Sequence, residues 1–191
     1  MFGLSVSKVP VLLFVFLGSL TVSTAWGESQ EALALAALQG VKSVELLDKS
    51  GQRTVIGSVT FTPKEGGSEY ELVLEREQFR DYFLSMKEMK CLEGPELWCH
   101  LAYPYKQPHK VTVDNLRWLE HDLLFMFKTP KEFGANFWNG IEDGIIKGEA
   151  QAVDLNVLAS PPDDLSEPPV GEADLDEVDR DKRWLPMIEI R

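Results

Sequence analysis

Met89-Lys90-Cys91-Leu92-Glu93-Gly94-Pro95-Glu96-Leu97-Trp98-Cys99-His100-Leu101-Ala102-Tyr103-Pro104-Tyr105 is the stretch whose reading decides the fold. It holds both cysteines of the 191-residue chain, and the Gly94-Pro95 pair between them marks a turn. Two short strands joined at that turn and tied by a Cys91–Cys99 disulfide are the expected local structure. Closing the nine-residue loop from Cys91 to Cys99 removes about 2.5 kcal/mol of unfolded-state freedom on the chain-entropy account. A reactive thiol or a metal pair is the competing reading, and the spacing, which is not C-x-x-C, argues against both.

Whether thiols oxidise depends on where the chain resides, and the N-terminus addresses that. Lys8 precedes an apolar run from Val9 to Leu20, and small residues stand at Ser23 and Ala25. This is the pattern of a secretory signal peptide over residues 1–25, cleaved before Trp26. An uncleaved anchor is the alternative, but a spanning helix needs about 20 apolar residues and this run contains Pro10. The expectation is a periplasmic or secreted protein with no transmembrane span after cleavage, in a compartment that oxidises cysteine pairs.

Working outward, residues 26–40 read as a short helix, because Glu28 to Leu38 is rich in Ala, Leu and Glu and Gly40 ends the run. From Val41 the pattern alternates. Val55, Gly57, Val59 and Phe61 fall on one face of a strand over Arg53 to Thr62, opposite Thr54, Ile56, Ser58, Thr60 and Thr62. Tyr70, Leu72 and Leu74 repeat the alternation after the loop Pro63 to Ser68, which makes a hairpin. Phe79, Tyr82, Phe83 and Met86 are spaced i, i+3, i+4, i+7 and predict a helix over Glu77 to Lys87.

On the other side of the cysteine stretch, Asp114 caps one expected turn of helix through Trp118, and Asp122 to Lys128 reads as a strand covered on both faces. Asp143-Gly144 is the expected tight turn between Phe133–Ile141 and Ile145–Leu158, with Asn139-Gly140 as a bulge. The fold class is therefore mainly β with some helix (α+β). A single antiparallel sheet over residues 41–158 curls into a small open barrel or sandwich, with one or two short flanking helices. Residues 159–183 are acidic, proline-rich and expected to be flexible. Residues 184–191 turn apolar again and predict a C-terminal strand in which Pro186 fits an edge position. Trp184, Leu185, Ile188 and Ile190 must dock somewhere, and the parent domain is the favoured site, with a partner reached by strand addition as the alternative.

The chemistry-bearing residues do not assemble into a known motif. No G-x-S-x-G elbow, H-E-x-x-H or phosphate-binding loop is present, so no catalytic residue, metal ligand or cofactor is assigned. His100, His109 and His121 lack the paired spacing of a zinc site. On a strand, the neighbours in Glu120-His121-Asp122 point to opposite faces and cannot orient one another. The acidic run from Asp174 to Asp179 lacks the glycine and terminal glutamate of a calcium loop. Aromatic residues are the remaining recognition feature. Trp98 and Trp138 fall in expected strands and read as core, whereas Tyr103 and Tyr105 on the proline-rich loop, with Trp118, are the candidate binding residues. The formal net charge of −12 argues against nucleic acid as a partner. Ten acidic and four basic side chains from Pro161 to Arg191 carry about half of it.

The strings KCLEGPELWCHLAYPY, DLLFMF, FWNGI and RWLPMIEIR resemble a family of small exported bacterial proteins with no assigned activity. The resemblance implies a bacterial periplasmic address and says nothing of mechanism. The function expected is that of a non-catalytic envelope protein that binds a partner protein or a small apolar ligand. Its rivals are a periplasmic hydrolase using paired carboxylates, or a carbohydrate-binding module, acting on envelope polysaccharide.

Overall fold

Glycine-bearing turns and period-two alternation organise the chain, which is described here by a computed structural model covering residues 22–84, 87–127, 134–166 and 168–191. Helix α1 (Val22–Ala37) leads into β1 (Gly40–Leu47), β2 (Arg53–Lys64) and β3 (Gly67–Leu74). Then follow β4 (Arg80–Leu84), β5 (Lys87–Leu92), β6 (Trp98–His100) and β7 (Lys110–Val111). Helix α2 (Arg117–Asp122) precedes β8 (Phe125–Phe127), β9 (Gly134–Glu142), β10 (Ile145–Val153), β11 (Leu175–Glu177) and β12 (Met187–Ile190). The strands form one antiparallel sheet in the order β4-β5-β6-β8-β9-β10-β12-β1-β2-β3-β7, with β11 beside β10. It curls into an open half-barrel, as the alternation predicted. Most of the expected export signal, residues 1–21, lies outside the described residues.

Strand β12 is the seam of this sheet. It is hydrogen-bonded on one side to β1, with Leu46 opposite Ile188, and on the other to β10, with Gly148 opposite Ile188. The apolar terminus was expected at an edge because Pro186 donates no hydrogen bond. Pro186 instead precedes the strand, where its carbonyl accepts from the Ala150 N–H at 2.8 Å, and the paired residues after it are free to donate on both sides. Leu185, Ile188 and Ile190 are fully buried beside Val44, Leu46 and Ile146. On the outer face Glu45 stands opposite Glu189, and Arg53 relieves the like-charge pair with bonds of 2.7 and 2.6 Å to the two carboxylates. Burial opposes ionisation of Glu45, but the Ser43 hydroxyl and Arg53 outweigh it and hold the carboxyl below its usual range.

Both cysteines face each other across β5 and β6 and are joined, with Cα atoms 3.9 Å apart. They pack with Met89 and Met126 on one face of β5, β6 and β8, while Leu92, Trp98 and Phe125 on the other face enter the main core. Trp98 is fully buried, as expected; Trp138 lies in β9, where its side chain is outside the described residues.

Several local readings are corrected by tertiary pairing. The expected helix over Glu77 to Lys87 is a 3₁₀ turn, Arg76–Gln78, followed by β4 pairing with β5. Aromatic residues favour strands, and the partner strand was available, so Phe79 is buried while Phe83 is 75% exposed. Asn139 and Gly140 sit in unbroken register opposite Gly148 and Lys147 and form no bulge. The bulge is in β2 instead: the pairing slips between Val44/Glu45 and Gly57/Val55, which turns Ile56 inward and Val55 outward. A Cβ at Gly57 would come 2.3 Å from the Val73 carbonyl oxygen, so this position admits no side chain without moving β3. The Asp143-Gly144 turn is as expected, with both residues at positive φ.

The strand expected from Asp122 starts only at Phe125, because Arg117–Asp122 is helical. Asn115, not Asp114, supports the start of that helix, its Oδ1 accepting from the Arg117 N–H at 3.1 Å. The strand expected to reach Leu158 ends at Val153, where the Asp154 carboxylate caps a 3₁₀ turn over Leu155–Leu158. The acidic stretch after Ser160 has a definite course: it buries Val170 and adds β11 to the edge of β10 before β12 begins.

Candidate functional site

Strand β3 presents Tyr70, Leu72 and Leu74 to one side, and the connector from β6 to β7 crosses in front of them. The connector is held to the strand by the Tyr70 N–H, which donates to the His109 carbonyl at 2.9 Å. Between them lies a cleft of about 440 Å³. Leu72, Leu74, Ala102 and Tyr103 supply its apolar walls, and Tyr70, Glu71, His100, His109 and Asp122 its polar groups.

Asp122, the last residue of α2, ties the floor together. Its Oδ1 accepts from Gln107 Nε2 at 2.5 Å and its Oδ2 from the Tyr70 hydroxyl at 2.9 Å, with Gln107 Oε1 a second acceptor for that hydroxyl at 3.1 Å. His109 Nδ1 stands 3.5 Å from Oδ2. His100 Nε2 is 2.7 Å from the Asp122 carbonyl oxygen, which only accepts, so Nε2 carries the proton and Nδ1 is left as the acceptor. Burial dominates the titration of this group. It raises Asp122 against the opposing pull of Tyr70, His109, His100 and Gln107, raises Tyr70 far above an ordinary phenol with help from Asp122, and lowers His100.

The chemical consequence is a fixed polar floor. Both oxygens of Asp122 are engaged and the Tyr70 hydroxyl keeps its proton, so neither is a poised base. Among the described residues no group of three or more His, Cys, Asp and Glu side chains is placed to hold a metal ion.

Of the sequence candidates, Tyr103 lines the cleft but is only 9% exposed, and its hydroxyl finds no hydrogen-bond partner among the described protein atoms. Tyr105 meets Tyr103 edge-on at 5.7 Å and donates to the Ala159 carbonyl at 2.8 Å. Trp118 is buried, 6.0 Å from the Tyr103 ring. The Tyr103 and Trp118 rings flank His121, which is fully buried: its Nδ1–H donates to the Arg117 carbonyl at 2.7 Å, and its Nε2 accepts from the Val170 N–H at 3.3 Å. His121 thus fastens the tail segment, while its neighbour Asp122 at the end of α2 serves the cleft.

The C-terminal candidates are all placed in cis. Leu185, Ile188 and Ile190 belong to the core, and Trp184 lies over Gly94, where an added Cβ would come within 2.3 Å of its ring. Glu96, next to the Gly94-Pro95 turn, accepts from the Trp184 N–H at 2.7 Å and from Arg183 Nη1 at 2.9 Å. None of the four presents a free surface for a partner's strand. Sequence reasoning missed Tyr70, Gln107 and Asp122 as a unit because they come from three separated segments; the alternation of Tyr70 with Leu72 and Leu74 was the one available signal.

Comparison with known protein families, with curated proteins and with solved structures found no match, so the resemblance to exported bacterial proteins adds no argument. Among the described residues no helix is long and apolar enough to cross a membrane.

Proposed function

We propose that this protein is an exported, non-catalytic binding protein that holds a small, largely apolar ligand in the cleft between β3 and the β6–β7 connector. The observation that carries the reading is the cleft itself. Its volume of about 440 Å³ lies in the range of small-molecule sites, and its walls are apolar around a few fixed polar groups, the usual make-up of such sites. The engaged carboxylate and protonated phenol at its floor favour holding a ligand over transforming one. A disulfide formed by the chain's two cysteines accords with an oxidising compartment outside the cytosol.

The test is a ligand-observed NMR screen of small aromatic and aliphatic fragments against wild type and Ala102→Trp. Ala102 is exposed on the cleft wall, so an indole there fills the space with little disturbance of the core. Fragments that bind wild type and are lost from the variant, with its melting temperature unchanged, support the reading. Equal binding by both proteins removes the cleft from consideration.

A further inference from the structure

Resting on the cleft just proposed as the binding site, we infer that its ligand is a small organic cation: an ammonium group carried on an apolar body. Two carboxylates, Glu71 and Asp122, line the space, and among the described residues that line it there is no lysine or arginine. Asp122 is partly exposed, its side chain retaining 17% of its surface, so it projects negative potential into a space walled by apolar atoms. Tyr70 and Tyr103 also line the space, and an ammonium group seated over the face of either ring would gain further attraction. Leu72, Leu74 and Ala102 receive the hydrocarbon. An anion entering the same space would meet two carboxylates and would lose water without gaining a fixed counter-charge.

His109 is the built-in competitor. Its ring stands edge-on to Tyr70 at 5.5 Å with Nδ1 3.5 Å from Asp122 Oδ2, so the imidazole takes up space beside the carboxylate.

The experiment uses three probes of one shape: 4-phenylbutylamine, 4-phenylbutan-1-ol and 4-phenylbutyrate, titrated calorimetrically into the full-length protein at pH 7.5. The amine is expected to bind about tenfold more tightly than the alcohol, and the butyrate more weakly than either. His109→Ala clears the imidazole from beside Asp122 and is expected to raise amine affinity more than alcohol affinity. Asp122→Asn lowers amine affinity toward that of the alcohol; should this variant lose its circular dichroism, Glu71→Gln at the exposed rim provides the same comparison with a smaller decrease. Amine and alcohol binding equally to wild type overturns the charge selection and leaves the cleft as a binding site. Failure of all three probes to bind overturns the cleft reading as well.

Discussion

Removing the last eight residues, Trp184 to Arg191, is expected to unfold the entire sheet and not merely fray its end. In this order of strands β12 stands between β10 and β1, so its loss divides the sheet into a six-strand part and a four-strand part along the main path. Three side chains on this segment, Leu185, Ile188 and Ile190, are 0–1% exposed. Full burial of each contributes about 1.5–3 kcal/mol, roughly 5–9 kcal/mol together. The stability of a whole domain is about 5–15 kcal/mol, so the deletion removes most or all of it. The ladder to β1 and β10 is lost in addition, including the reciprocal bonds between Ser43 and Arg191 at 2.8 and 3.1 Å. The milder substitution Ile188→Ala, in the same strand, is expected to lower stability by about 3 kcal/mol. For a chain of this length that lowers the melting temperature by roughly 6–12 °C. Thermal and urea unfolding followed by circular dichroism measure both variants, and a synthetic peptide spanning 184–191 added to the truncated chain tests recovery. A truncated chain that melts cooperatively within about 5 °C of full length would show that β12 is not the seam.

Three further outcomes follow from the geometry. Tyr103→Phe removes a buried hydroxyl that has no partner among the described residues and is expected to raise stability by about 1 kcal/mol in urea titrations; a loss of that size would mean the hydroxyl is satisfied in solution. Burial lowers His121 and His100 below the ordinary histidine value, so the fold prefers both neutral. That preference is fully present above about pH 6.5 and is lost as pH falls through the lowered folded-state values. Protonation of His121 also sets a donor against the Val170 N–H. Asp122, raised by burial, has the opposite sign and acts lower, in the carboxylate range. The urea midpoint should hold from pH 8 to about 6.5 and fall toward pH 5, less steeply in His121→Gln; a flat profile contradicts the buried neutral pair. Cys91→Ser with Cys99→Ser should lower stability by about 2.5 kcal/mol, and unreduced wild type should titrate no free thiol even when unfolded.

Alternation and turn chemistry were enough to read the β-rich class, the β2–β3 and β9–β10 hairpins and the Cys91–Cys99 bridge, because each depends on residues close in sequence. The errors share one cause. Phe79, Tyr82, Phe83 and Met86 keep a helical spacing that no local rule overrides, and only the presence of β5 as a partner makes Arg80–Leu84 a strand. The bulge at Ile56 is equally silent in sequence, since it is set by what lies across from it in β1.

What the sequence determined by itself was local: alternation chose strands, glycine and aspartate chose turns, and two cysteines close in sequence chose each other. What the tertiary structure decided was which distant segments meet. An apolar C-terminus says that it must be buried, but its place between β1 and β10 depends on two open strand edges about 140 and 40 residues away having complementary ladders. The cleft floor arises in the same way. Tyr70, Gln107 and Asp122 form a unit only because β3, the connector and α2 are brought together by core packing, and burial then makes their hydrogen bonds obligatory.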